Sequence, residues 1–140
     1  MNKENFNFFT ETEVRVSDLN YGGHVGNDRY LTFFHDARIR YLSKFGFSEV
    51  NIGSGVGLIM SEAHVKYKAQ AFLGDVLKAG VRVHHIEQIR FDMDYILIRK
   101  QDDAIIATGS TRMVGYDYTK MKVSKVPGEF VRKIRDFEEA

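Results

Sequence analysis

The residues able to do chemistry gather in one stretch, Ser17-Asp18-Leu19-Asn20-Tyr21-Gly22-Gly23-His24-Val25-Gly26-Asn27-Asp28. Asp18 supplies a carboxylate, His24 an imidazole, and Asn20 and Asn27 amides that donate and accept hydrogen bonds without titrating. A polar, glycine-rich loop of this kind presents backbone N–H groups and short side chains at a fixed place. Each residue also has a structural use. Gly22-Gly23 reads as a tight turn, His24 as a strut that hydrogen-bonds the loop, Asp18 as a residue that turns the loop through its own backbone, and Asn27 or Gly26 as a helix cap.

The flanking elements hold that loop. Residues 6–16 alternate, with Phe6, Phe8, Thr10, Thr12, Val14 and Val16 on one parity, which predicts a strand with one face buried. After the loop a helix is predicted over about residues 28–45, with Asp28 in its first turn and Gly46 placed to end it. Its apolar residues Leu31, Phe33, Phe34 and Ile39 point in different directions, so it is expected to be covered on most sides. Four strands follow, beginning near Leu58, Val76, Phe91 and Ala104, with turns at Gly74-Asp75 and Asp102-Asp103. Such short connections require antiparallel neighbours. A short amphipathic helix is expected after Pro127, carrying Phe130, Ile134 and Phe137.

Composition limits the functions available. With 140 residues and no linker-like tract, residues 1–140 read as a single domain in which one curved sheet wraps one helix. An open sheet keeps an edge, so self-association is expected. A formal net charge of +1 gives no global argument for nucleic acid. Zero Cys removes disulfides, thiolate metal sites and a cysteine nucleophile. No signal-like or membrane-spanning run is present, so a cytoplasmic protein with no membrane partner is expected. His84-His85 on a strand would point its rings to opposite faces, and no second ligand pair stands nearby, so no metal site is expected. Lys66, Lys68, Arg82, Arg99 and Arg112 fall on β-segments, where they serve equally as a solvated face or as contacts for anionic groups.

The run Arg15-Val16-Ser17-Asp18-x-Asn20-x-x-Gly23-His24-Val25-x-Asn27-x-x-Tyr30, followed by Ala37-Arg38, resembles the signature of hotdog-fold acyl-CoA thioesterases of the 4-hydroxybenzoyl-CoA thioesterase type. Tyr67, Ala71 and Gly74-Asp75 match that family's Y-x-x-x-A-x-x-G-D pattern. The resemblance implies an α+β hotdog fold, with a curved antiparallel sheet of about five strands around one long central helix and a short C-terminal helix. It also implies a homodimer or homotetramer with sites at the subunit interface. The reaction implied is hydrolysis of a fatty or aromatic acyl-CoA, or an acyl carrier protein thioester, with no cofactor beyond the CoA of the substrate.

The family usually places Asp four residues before the loop histidine, as nucleophile or water-activating base, and here that residue is Asn20. An amide is neither a base nor a nucleophile near pH 7. Three readings follow. Asn20 orients a water while Asp18 or Glu62 removes its proton, Asn20 polarises the thioester carbonyl, or the site binds acyl groups without hydrolysis. The Gly22-Gly23 N–H groups would then form an oxyanion hole. Tyr21, Asn27, Tyr30, Phe34 and Tyr67 would line the substrate site, with Asn20, Asp18, His24 and Glu62 as catalytic candidates. Asp18-x-Asn20 with His24 is also similar to the D-x-N-P-x-H motif of hotdog enoyl-CoA hydratases, although the proline is absent and the histidine is displaced by one.

Overall fold

The computed structural model describes all 140 residues. Strand β1 (Phe8–Glu13) leads through a short 3-10 turn at Val16–Asp18 into the loop, and a second such turn at Asn27–Arg29 opens helix α1 (Tyr30–Lys44). Strands β2 (Gly57–Tyr67), β3 (Val76–His84), β4 (Arg90–Arg99), β5 (Ile105–Asp117) and β6 (Lys122–Val123) precede helix α2 (Gly128–Glu138). The strands form one antiparallel sheet in the order β1-β3-β4-β5-β2, with the two-residue β6 added beside β5. The expected hotdog arrangement is present, and among the strands only β6 was not foreseen.

Parity on the strands decides which side faces the helix. Leu77, Ala79, Val81 and Val83 on β3, with Phe91, Met93, Tyr95 and Leu97 on β4, join Phe33, Phe34, Ala37, Tyr41 and Leu42 of α1 in one core. Each of the Val, Leu, Phe and Met side chains among them gains roughly 1.5–3 kcal/mol from full burial. Helix α2 adds Phe130 and Ile134 to the same core. The Phe34 ring stacks on Tyr95 at 4.6 Å and presses against Gly109, where a Cβ would stand 2.4 Å from the ring. Only glycine lets helix and sheet approach this closely.

One charged group lies inside this layer. Arg38 donates to Glu49 at 2.6 Å and to the Tyr95 hydroxyl at 3.0 Å, and that hydroxyl meets Thr111 at 2.7 Å. Burial opposes the charge on Arg38, but Tyr95 and Glu49 outweigh it and hold the pKa above its ordinary value. Tyr95 itself is pushed up, first by burial.

Three expectations are corrected. Val16 leaves the β1 parity and is exposed, because the chain has already tightened into a 3-10 turn there. Helix α1 is not covered on most sides: Leu31 and Ile39 are 43% and 48% exposed on the flank away from the sheet. The third is a choice between the two expected caps: Asn27 makes no side-chain cap, and the alternative, Gly26, occupies the position. On β2, Ala63 and Tyr67 are exposed and Val65 is only half-buried. The strand is the end of the sheet, and a bulge between Met60 and Glu62 shifts its register.

Candidate functional site

The loop is pinned at both ends by its own polar groups. The buried Asp18 carboxylate accepts from Arg15 N at 2.9 Å through one oxygen and from Arg29 Nε and a terminal guanidinium nitrogen at 3.2 and 3.0 Å through the other. Both oxygens are engaged, so Asp18 is a strut. Gly26 N donates to Asp18 O at 3.0 Å, and Val25 N donates to Ala71 O at 2.9 Å, tying the loop to the segment after β2.

Asn20 organises the turn itself. Its Oδ1 accepts from Gly22 N at 2.9 Å, its backbone O accepts from Gly23 N at 3.1 Å, and its N donates to His24 O at 2.8 Å. Gly23 takes φ +80°, a conformation that side chains disfavour. The Gly22 and Gly23 N–H groups thus serve the turn, and neither points to a ligand. By contrast the N–H of Asn27, in the first turn ahead of α1, has no partner within the chain. Donors at that position of a helical segment have none of their own.

His24 places Nδ1 3.2 Å from Val25 O. A carbonyl can only accept, so Nδ1 carries the proton and Nε2 is left as an acceptor, a tautomer assigned from this contact. Nε2 and Asn20 Oδ1 both lie 3.3 Å from where a Gly22 Cβ would stand, which sets the two side chains next to each other. His24, Asn27, Tyr30, Tyr67, Lys68 and Gln70 line a cavity of about 260 Å³. Tyr67 donates to Asn27 O at 3.3 Å and meets Tyr30 edge to face at 5.2 Å. Burial, then Tyr67, raises the Tyr30 pKa.

The remaining predicted site residues fall elsewhere. Tyr21 is fully exposed at the loop tip, and Phe34 is fully buried in the core. Glu62 lies on the outer face of the sheet, paired with Arg112 at 2.8 Å, and lines a different cavity with His84, His85 and Asp92. The largest groove, about 570 Å³ between β3 and α2, shares no residue with the loop cavity and carries none of the loop's chemistry. Sequence reading gave no site role to Gln70 or Arg29. They enter through the return of the chain after β2 and through the ion pair with Asp18, neither of which has a spacing signal.

The pattern is that of a known family. The model of the thioesterase-like superfamily matches residues 14–134, and the chain belongs to that family. Among curated relatives, the L-carnitine dehydrogenase/betainyl-CoA thioesterase of Rhizobium meliloti is 25% identical over 132 residues, covering 92% of this chain and 26% of that protein. The present chain therefore spans about a quarter of that relative's length. The long-chain acyl-CoA thioesterase FadM of Escherichia coli is 21% identical, covering 89% of this chain and 95% of that protein. A 1,4-dihydroxy-2-naphthoyl-CoA thioesterase from Synechocystis superposes with a TM-score of 0.83 at 25% identity, covering 92% and 96% of the two chains. No helix is long and apolar enough to cross a membrane.

Proposed function

We propose that the chain hydrolyses an acyl-CoA, or an acyl carrier protein thioester, to free acid and thiol at the loop cavity. The observation that supports this best is that one cavity is lined by both His24, whose Nε2 is unengaged, and Asn27, whose N–H has no partner within the chain. His24 Nε2 takes a proton from a water oriented by the Asn20 amide, and the water oxygen attacks the thioester carbon. The resulting oxyanion faces the Asn27 N–H. The C–S bond breaks, and His24 returns its proton to the departing sulfur. The base role thus passes from the family's usual Asp to His24, and CoA enters only as part of the substrate.

A second copy of the chain completes the site in this reading. The outer edge of β2 is unpaired, with Ala63 and Tyr67 exposed and Val65 half-buried. Pairing along β2 would cover them and extend the cavity at Tyr67, while Leu31 and Ile39 offer a further surface for a tetramer. Acetyl-, benzoyl- and palmitoyl-CoA incubated with purified protein, with thiol release followed by a colorimetric reagent, test the proposal. Release that collapses in His24→Ala is the expected result. A wild-type protein that holds the thioester intact for hours would instead be an acyl-CoA binder.

A further inference from the structure

The outer face of the sheet, opposite α1, carries a second cluster that the thioesterase reading does not use. His84 ends β3, His85 follows it, and Asp92 pairs with His84 in the antiparallel register. An extended backbone would send the two imidazoles to opposite faces. His85 instead takes φ +51°, which brings the two rings to 4.2 Å between centroids on one side. A positive φ at a residue other than glycine is uncommon and invites a functional explanation.

The donors converge. One ring nitrogen of each histidine and one Asp92 oxygen lie within 4.8 Å of one another. Asp92 Oδ1 accepts from Arg112 Nε at 3.0 Å, whereas Oδ2 has only longer contacts, 3.4 Å to His85 Nδ1 and 3.5 Å to an Arg112 terminal nitrogen. His84 Nε2 is buried with Asp94 Oδ2 2.9 Å away, an ion-pair contact that fixes the His84 ring beside Asp92 and His85.

We infer that His84, His85 and Asp92 form a binding site for a divalent transition metal of the zinc class. Two imidazoles and one carboxylate are a donor set that zinc accepts, with further positions left open. Zinc–nitrogen bonds of about 2.0–2.1 Å require the donors to close up. The His85 side chain is 73% exposed, so its ring is free to make that movement. Asp94, held by Arg82 at 2.8 Å, stands beside His84 as the outer carboxylate that orients a metal-bound imidazole. Arg112 on Asp92 opposes a cation and sets the affinity below that of closed structural sites.

Calorimetric titration of chelator-treated protein with zinc chloride tests the assignment independently of thioester hydrolysis. One zinc per chain is expected, with binding weakened at least tenfold in both His85→Asn and Asp92→Asn. Asn tolerates the left-handed backbone, and circular dichroism establishes that each variant is folded. His35→Ala, on the exposed flank of α1, is expected to bind as the wild type does. Cobalt(II) is expected to give visible ligand-field bands that both site variants lose. Absence of binding, or binding retained in both variants, overturns the site.

Discussion

The loop of residues 17–27 and the outer face of the sheet are both rich in polar side chains, but they differ in how much hydrogen-bonding capacity remains free. On the sheet, Arg82 meets Asp94, and Arg112 bridges Asp92 and Glu62, so these central charges hold one another. In the loop, Asp18 and the two glycine N–H groups hold the backbone, and this leaves His24 Nε2 and the Asn27 N–H free. Chemistry at neutral pH needs the second condition, because a proton acceptor or donor already engaged must first be released.

The comparison breaks most readily at His24. Removing its imidazole in His24→Ala is expected to lower thiol release by about 10²–10⁴-fold, with thermal stability near that of the wild type. A small change in rate, measured with saturating acyl-CoA, would move the catalytic centre away from the loop. Asp18→Asn leaves Arg29 without its carboxylate. A destabilisation of about 1–3 kcal/mol is expected by urea unfolding, with a roughly tenfold fall in kcat as His24 loses its fixed position.

Tyr41 tests the scaffold behind both regions. Burial and then Glu138 hold its phenol neutral well above the ordinary range, and the hydroxyl donates to Glu138 at 2.5 Å. An unfolded chain ionises tyrosine near pH 10, so the stability from Tyr41 is complete below that pH and is lost as pH rises toward the folded value. Tyr41→Phe should therefore unfold more easily at neutral pH and show a shallower loss of stability above about pH 10, read by denaturant midpoints. Least affected is Glu62→Gln. Its exposed pair with Arg112 is worth about 0–1 kcal/mol, and activity is expected to stay within about twofold of wild type because this glutamate lies outside the loop cavity. A large loss of activity there would mean that Glu62 reaches a site in a partner copy.

Much of this was legible in the residues themselves. The period of two in β3 to β5, the apolar run of α1, the glycine after it and the amphipathic α2 each follow from local spacing, and together they specify the fold. The chemistry-bearing loop was likewise visible as Asp18, Asn20, Gly22-Gly23 and His24 between a strand and a helix. How those residues are held depends on contacts both near and far in sequence. Asp18 became a strut because Arg29 folds back onto it, and the glycine N–H groups were taken by Asn20. Glu62 was carried to the outer face by the edge strand, and His85 was turned beside His84 by one left-handed residue. Periodicity records which side of an element faces the core. Which lone pair stays free depends on partners brought together only when the sheet closes around the helix.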